Sequence, residues 1–304
     1  GLEKTGRLSR DSMNRTIQAL KVCKQKLDKY DVKYSRLIAT EACRRAKNSK
    51  DFILKVFQET GLKLNIIDTE EEARLAVISC APLVSSKSEQ LLVVDIGGGS
   101  TELVWIDLSA VPSHERPKSI MRLHSGFHSI ESPFPAARVV DWISVPLGVA
   151  TLRDQFNDVE DDAARFALMS WYFEEKLTDF APYKDNKIDT SFQIIGTSGT
   201  ATTVASSHLG LRRYDRTKVD GLRMTTDQID KVIRSYLEMG PDGRKKDPRI
   251  GRDRQALIMS GSAILQAMLR SWPTDKLTVA DRGLREGLLY AQMSANGVLE
   301  DVIL

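Results

Sequence analysis

Leu91-Leu92-Val93-Val94-Asp95-Ile96-Gly97-Gly98-Gly99-Ser100-Thr101-Glu102-Leu103-Val104-Trp105 is the stretch that decides the fold. Its first four residues are wholly apolar, the pattern of a central strand covered on both faces. Three glycines follow, and Glu102 to Ile106 reads as a second strand. Strand, glycine turn, strand is not the P-loop, which needs Gly-Lys-Ser/Thr, nor the Rossmann turn, which runs into a helix. Three consecutive glycines leave the backbone uncovered by β-carbons, so their amides can converge on an anion. Ser100 and Thr101 add hydroxyl donors. Asp95 at the strand end points to a divalent ion, because a bare carboxylate beside such a cradle repels phosphate. The competing reading is a tight glycine hairpin with an exposed acid.

Upstream, Met13, Ile17, Leu20, Val22 and Leu27 recur among charged residues at helical spacing over 9–30, with Ser9 or Asp11 placed to accept from the first amides. Tyr34 to Thr40 reads as a strand, Asn48 to Glu59 as a helix stopped at Gly61, Leu64 to Ile67 as a strand, and Glu70 to Cys80 as a helix with acids in its first turn. A polar connection over 82–90 leads into the glycine hairpin. Downstream, strands are expected at Ser119 to Leu123, Ile143 to Leu147, Phe192 to Ile195 and Lys276 to Ala280. Helices are expected over Thr151 to Phe156, Val159 to Leu177, Ala201 to Leu209, Thr226 to Met239, Gln255 to Trp272 and Gly283 to Ala295. Residues 210–220 read as exposed, and the basic, Gly/Pro-punctuated 240–254 as a linker or loop. Helix–strand alternation around the hairpin gives an α/β class.

The chain of 304 residues is long enough for two domains. With 41% apolar and 28% charged residues it is globular, and a net charge of +3 signals no specific nucleic-acid or membrane preference. Cys23, Cys43 and Cys80 are sparse and lack CxxC spacing, which fits buried thiols in a reducing compartment. No apolar run reaches the roughly 18 residues of a membrane span, and no signal segment is present, so the expected location is cytoplasmic.

A second glycine/hydroxyl turn, Gly196-Thr197-Ser198-Gly199-Thr200, follows an apolar strand and precedes a helix. Its free amides could take an anion, or it could be a plain capped turn. Two such turns together suit an oligophosphate gripped from two sides. Glu70-Glu71-Glu72 reads from composition as a solvated first turn, and Arg44-Arg45 as surface charge whose forks also suit phosphate. His114, His124, His128 and His208 show no ligand spacing, and no metal is assigned to them. The basic 244–254 reads as a solvated loop, with attraction of polyanions as the minor reading.

Leu92 to Glu102 (LVVDIGGGSTE) resembles the second phosphate loop of the exopolyphosphatase / guanosine pentaphosphate phosphohydrolase (Ppx/GppA) family, part of the actin-like, sugar-kinase and heat-shock ATPase superfamily. The likeness runs through nearly the whole chain. It includes Thr40 to Asn48 (TEACRRAKN), Gly61 to Leu75 with its Glu-Glu-Ala-Arg-Leu, and Ser144-Val145-Pro146-Leu147-Gly148 with Leu152. It continues through Ile195 to Thr200, Gly261 to Leu265 and Gly283 to Leu288 (GLREGL). The resemblance implies an actin-like, ribonuclease H-like two-domain α/β fold with mixed sheets flanked by helices. One departure is Ala256, where the family carries an acid after an Arg-Ala pair, here Arg254-Gln255. The other is at the front. Family members open with a strand and an Asp-x-Gly-Ser/Thr-Asn-Ser loop, and nothing before Gly1 supplies it. The reading is therefore of a first domain incomplete at its N-terminus, with exposed sheet edges and weak or absent activity alone. The expected division is 1–88 for the rest of that domain, with the helix 286–304 packing back on it, and 89–285 for the second, whose 95–102 loop lines the interdomain cleft.

The resemblance also implies roles. Glu72 matches the general base on water, which displaces the solvated reading for it and leaves that reading for Glu70 and Glu71. Asp95 and Glu102 match catalytic acids at a bound Mg²⁺. Gly97, Gly98, Gly99, Ser100 and Thr101 match the phosphate-cradling loop, Arg44 an arginine on the phosphate chain, and Gly196, Ser198, Gly199 and Thr200 the opposing loop. The implied reaction in a bacterial cytoplasm is hydrolysis of the terminal phosphoanhydride of polyphosphate or guanosine pentaphosphate, in a protein that a homodimer would suit. The alternatives are a non-catalytic polyphosphate or guanosine tetraphosphate/pentaphosphate sensor, and an ATPase or kinase of the same superfamily.

Overall fold

Ser9 accepts from the Ser12 amide at 3.2 Å and so starts the first long helix of the computed structural model, which describes residues 2–127, 136–182 and 190–299. The chain divides into two units, Gly1–Glu72 and Ala73–Leu304.

In the first unit a single turn, α1 (Leu2–Thr5), precedes α2 (Arg10–Lys29). Then come β1 (Leu37–Ala39), α3 (Glu41–Arg45), α4 (Ser49–Thr60) and β2 (Leu64–Ile66). β1 and β2 pair in parallel, Leu37 opposite Leu64, through the α3–α4 crossover. Ile17, Cys43, Phe52, Val56 and Leu62 form the core, joined by Met13, Leu20 and Leu27 from the expected stripe of α2. Asn48 ties α4 to the start of the unit, accepting from the Leu8 amide (2.8 Å) and donating to the Leu8 carbonyl (3.0 Å). Leu54 and Phe57 on α4 and Ile66 on β2 are exposed.

α5 (Thr69–Ser79) carries the chain from the first unit into the second. The second unit is built on a mixed sheet of six strands. These are β3 (Gln90–Ile96), β4 (Thr101–Asp107), β5 (Arg138–Val145), β6 (Phe192–Thr197), β7 (Arg223–Met224) and β8 (Leu277–Ala280), in the order β5-β4-β3-β6-β8-β7. β3, β6 and β8 are parallel; the other pairings are antiparallel. The apolar run at 91–94 is buried on both faces, as its composition requires. Leu92 and Val94 join Leu103, Trp105, Phe192 and Ile194 on one side, and Leu91 and Val93 join Val104 and Ile106 on the other.

Helices cover both faces. They include α6 (Arg116–Met121), α7 (Val149–Gln155), α8 (Asp162–Glu175), α9 (Gly199–His208), α10 (Arg216–Val219), α11 (Thr226–Lys246), α12 (Ile258–Ser271) and α13 (Leu284–Ala295).

The division after Glu72 corrects the boundary expected at 88. Ala73, Val77, Cys80, Ala81 and Val84 pack under β3 and β4. The following connection is held by Gln193, fully buried in the sheet. Its Oε1 accepts from the Ser85 amide and Ser88 Oγ (2.9 Å each), and its Nε2 donates to the Leu83 carbonyl (3.0 Å) and Thr278 Oγ1 (2.9 Å). Residues 73–88 are thus part of the sheet domain. α13 belongs there too, and residues 300–304 of the expected C-terminal helix lie outside the described residues.

Three local expectations also change. Ser119 to Leu123 is helical, because Pro117 sits in a helix first turn and Ile120 and Leu123 bury one face at i, i+3 spacing. Residues 210–220 include α10, whose Val219 is fully buried. The helix begun at Thr226 resumes after a break at Gly240-Pro241 and runs to Lys246, so the first half of 240–254 is not loop.

Candidate functional site

The first glycine turn closes the β3–β4 hairpin. The Gly97 amide donates to the Ser100 carbonyl at 2.9 Å, and Asp95 stands opposite Glu102. The turn's carbonyls are all engaged on one side. Gly97 O accepts from the Val149 amide (2.9 Å), Gly98 O from the Ala150 (2.9 Å) and Thr151 (3.4 Å) amides, and Gly99 O from Thr151 Oγ1 (3.3 Å). These donors are the first turn of α7, so the loop caps that helix. Gly148 permits the approach: a β-carbon there would lie 2.4 Å from Gly97 O and 2.5 Å from the Gly98 carbonyl carbon. The peptides are thereby oriented, and among the described residues the amides of Gly98 and Gly99 meet no acceptor.

The hydroxyls behave differently from expectation. Thr101 is fully buried and its Oγ1 donates to the Leu147 carbonyl at 2.8 Å, so it fastens the hairpin to the segment before α7 rather than offering a free donor. Ser100 is also buried. Asp95 and Glu102 are directly opposed cross-strand partners, so their side chains share a face, the one carrying Ala73, Val77 and Cys80. Glu102 Oε1 accepts from Ser144 Oγ at 2.9 Å. Like charges opposed across a ladder destabilise it, and a cation relieves them. Mg²⁺ is commonly held by one or two carboxylates plus substrate phosphates, which suits this pair. Among the described residues there is no group of three or more His, Cys, Asp or Glu that could hold an ion unaided, and His128 lies outside them. Burial pushes the Cys80 thiol up to about 12, with the negative charge of Asp95 adding to it. All three cysteines are free; Cys43 and Cys80 are buried as expected, whereas Cys23 is exposed.

The second turn is built another way. Gly196 is a buried strand residue, paired with Val94 on one side and Val279 on the other, and this removes it from the expected loop donors. Ser198 caps α9, its Oγ accepting from the Ala201 amide at 3.0 Å. Thr197 Oγ1 donates to the Arg282 carbonyl. Thr200 packs on Gly261 of α12, where a β-carbon would come within 2.0 Å of Thr200 Oγ1. Gly199 lies under the guanidinium of Arg254, whose Nη1 would be 1.1 Å from a β-carbon at 199.

Arg254 joins the two turns. With Gly97, Gly98, Val149 and Gly199 it lines a cavity of about 410 Å³. With Asp95, Ser198, Gly199, Arg282 and Glu286 it lines a second of about 270 Å³. Both lie beyond the carboxyl ends of β3, β6 and β8, where open parallel sheets take ligands. Sequence reasoning missed Arg254, because it sits in a basic stretch that reads as solvated. The same reasoning gave Gly148 no role.

The GLREGL segment is structural. Glu286 Oε2 accepts from the Gly283 amide at 3.0 Å, and a β-carbon at Gly287 would lie 1.9 Å from the Leu75 carbonyl oxygen of α5. Arg282 grips Asp220 (Nη2 to Oδ2, 2.8 Å), and that hydrogen bond leads in holding the guanidinium above its usual range.

In the first unit Glu72 is buried and accepts from Arg44 Nη2 at 2.6 Å. Arg44 also donates to Glu41 Oε2 (3.1 Å) and to the Ile67 carbonyl (2.9 Å). Burial would lower its proton affinity, but the hydrogen bond and charge of Glu72, and then those of Glu41, outweigh burial and raise it. Arg44 thus holds Glu72 in place. Glu71 pairs with Arg36 at 2.6 Å, so it too is more than a solvated acid.

A family model described as the Ppx/GppA phosphatase family matches residues 1–296. A guanosine-5'-triphosphate,3'-diphosphate pyrophosphatase of Aeromonas salmonicida is 26% identical over 296 residues, covering 97% of this chain and 52% of the relative. The chain thus spans about half that relative's length. A crystal structure of the Aquifex aeolicus member of the Ppx/GppA family superposes with a TM-score of 0.74 at 30% identity, covering 97% of this chain and 85% of the other. An exopolyphosphatase from Cytophaga hutchinsonii superposes with a TM-score of 0.77 at 20% identity, covering 96% and 85%, which speaks for the fold. The fold is the actin-like α/β one, with a mixed sheet flanked by helices.

Proposed function

The chain belongs to the Ppx/GppA phosphatase family, and from that premise we propose that it hydrolyses the terminal phosphoanhydride of inorganic polyphosphate or guanosine pentaphosphate. The observation that carries the reading is the hairpin turn at Gly97–Ser100. The Gly97, Gly98 and Gly99 carbonyls are taken by α7, the Gly98 and Gly99 amides meet no acceptor among the described residues, and two carboxylates stand at its base. Oriented amides of this kind stabilise charge that develops on phosphoryl oxygens in the transition state.

Glu72, held by Arg44, orients the attacking water and accepts its proton. The amides of Gly98 and Gly99 take the equatorial oxygens of the terminal phosphoryl group. Ser198 and Gly199 position the opposing turn, and Arg254 above Gly199 takes charge on the bridging and adjacent phosphates. Asp95 and Glu102 would hold Mg²⁺, which would supply neutralisation of the phosphate oxygens. The three free cysteines fit a reducing cytoplasm, and no helix among the described residues is long and apolar enough to cross a membrane.

The test is phosphate release by the intact protein from long-chain polyphosphate and from guanosine pentaphosphate, with and without Mg²⁺. Glu72→Gln should lower turnover on the order of 10²–10⁴-fold while KM stays near wild type. Normal turnover by this variant removes Glu72 as the base. Tight binding of guanosine tetraphosphate with no phosphate released from any substrate turns the reading to a sensor.

A further inference from the structure

A third cavity, of about 380 Å³, lies in the second unit among α7, α8, the end of α11 and the start of α12. Five cations line it: Arg153, Arg165, Arg244, Lys245 and Arg252. The acid in its wall, Asp162, is taken by Arg244, which donates to both its oxygens at 2.8 and 2.7 Å. Arg165 donates to the Val159 (2.6 Å) and Glu160 (3.3 Å) carbonyls, so its charge is not cancelled by these bonds. Arg252 has no carboxylate partner among the described residues. Arg153 pairs with Asp154 at 2.6 Å and Lys245 with Asp242 at 3.5 Å, so the excess positive charge of this concave wall rests on Arg165 and Arg252, and it concentrates polyanions.

The lining also says which polyanion. Met169, Pro241, Ala256 and Met259 supply the apolar part, and no aromatic ring is present to stack a base. The site suits bare phosphates in series rather than nucleotides. It adjoins the cavity at the first glycine turn: Ser260, in its wall, donates from Oγ to the carbonyl of Val149 at 2.6 Å, and Val149 lines that other cavity.

We propose that this cavity is a second anion site, which holds an internal stretch of an inorganic polyphosphate chain whose end occupies the first glycine turn. The placement of the chain end rests on the function proposed above; the anion site itself rests on the cavity. A long chain engages both places and gains from the high local concentration of its second segment. A tripolyphosphate or a guanosine pentaphosphate engages the first alone. The basic stretch 244–254 thereby acts as a chain-length selector.

The experiment uses the intact protein and two readouts. The first is direct binding of long-chain polyphosphate by calorimetry, to the wild type, Arg252→Glu, the double variant Arg165→Gln/Arg252→Gln, and the control Arg223→Gln, an exposed arginine on β7. Arg252 is exposed, so its variant keeps the fold even if loss of Arg165 loosens the segment at 159–160. Arg252→Glu and the double variant should each lose about tenfold in affinity, and the double variant's salt dependence should flatten by about one unit of slope per cation removed. The control should stay within about twofold of wild type. Losses no larger than the control's overturn the proposal. The second readout is phosphate release, where KM for long chains should rise while KM for tripolyphosphate and kcat stay fixed. A parallel rise for tripolyphosphate also overturns it. If the protein releases no phosphate, the proposed function fails and the binding readout still decides the anion site.

Discussion

The two glycine turns of the second unit look alike in sequence and are built on opposite plans. The turn at 97–100 is walled by backbone: Gly148 brings the first amides of α7 onto the Gly97 and Gly98 carbonyls, with the Thr151 hydroxyl on that of Gly99, and the three atoms nearest a β-carbon at 148 would all be main-chain. The turn at 198–199 is roofed by a side chain: a β-carbon at 199 would meet the end of Arg254, which can swing away. The first turn is therefore a fixed cradle, and the second is an adjustable one. Reaction chemistry asks for the fixed kind where charge develops, because preorganised dipoles act without reorganising. Substrate selection tolerates the adjustable kind.

The sharpest way to break this contrast is Gly148→Ala. The new methyl cannot be accommodated without moving the glycine turn off α7. We expect a stability loss of ~1–3 kcal/mol or more, read as a lower Tm, and a fall in phosphate release on the order of 10²-fold from the displaced donors. A variant with wild-type Tm and turnover would show that the first turn is as pliable as the second.

Thr101→Val sharpens the same point at one atom. It keeps the shape and removes the donor to the buried Leu147 carbonyl. The cost should be ~1–3 kcal/mol in chemical denaturation, since the carbonyl is left unsatisfied, with kcat held within a few-fold. Abolished turnover at unchanged stability would return the Thr101 hydroxyl to the substrate.

Gly199→Ala is the counterpart on the second turn. Here the obstacle is the guanidinium of Arg254, so stability should stay within ~0.5 kcal/mol. The displaced Arg254 weakens binding of substrate and transition state alike, which raises KM and leaves kcat close to wild type. A Tm drop matching that of Gly148→Ala would mean the second turn is walled as rigidly as the first.

How much of this was legible in the sequence follows from the range of the interactions. The hairpin, the buried run at 91–94 and the helix stripe of α2 are local, and period and turn chemistry reveal them. Gly148 lies about fifty residues from the loop it supports, and nothing in its own neighbourhood signals the contact. Arg254 was hidden for another reason. In GPDGRKKDPRIGRDR every cation has the same composition-level reading, and only the fold selects the one that stands on Gly199. Thr101 and Gly196 were misread in the other sense. Both belong to phosphate-loop-like strings, yet burial commits the Thr101 hydroxyl and the Gly196 peptide to the framework. The boundary at 88 failed because Ser85, Lys87 and Ser88 look like linker composition, while the acceptors and donors of Gln193, about a hundred residues on, make two of them part of the sheet domain.

The smallest expected difference between the turns is in their response to acid. The segment that carries Arg254 leaves α11 through Asp247. That carboxylate is held below its usual range, first by the side-chain hydrogen bonds of Arg249 and also by the Arg249 amide, against burial that pulls the other way. A carboxylate with a folded-state pKa below its unfolded value of 3.8 stabilises the fold fully above that value. The contribution disappears as pH falls from 3.8 through the lowered folded value. Acid should therefore loosen the 247–254 segment, and with it the roof over Gly199, while the amide-to-carbonyl contacts of α7 on the first turn carry no titrating group. Hydrogen exchange at pH 3 against pH 6, corrected for intrinsic rates, should show protection lost at the Arg249 and Arg254 amides and retained at Val149 and Ala150. In Arg249→Gln the acid-dependent part of that loss should shrink, because the variant's Asp247 has little depression left to surrender. Equal loss of protection at both places would mean that the two turns share one stability, and that the difference in their walls does not reach the backbone.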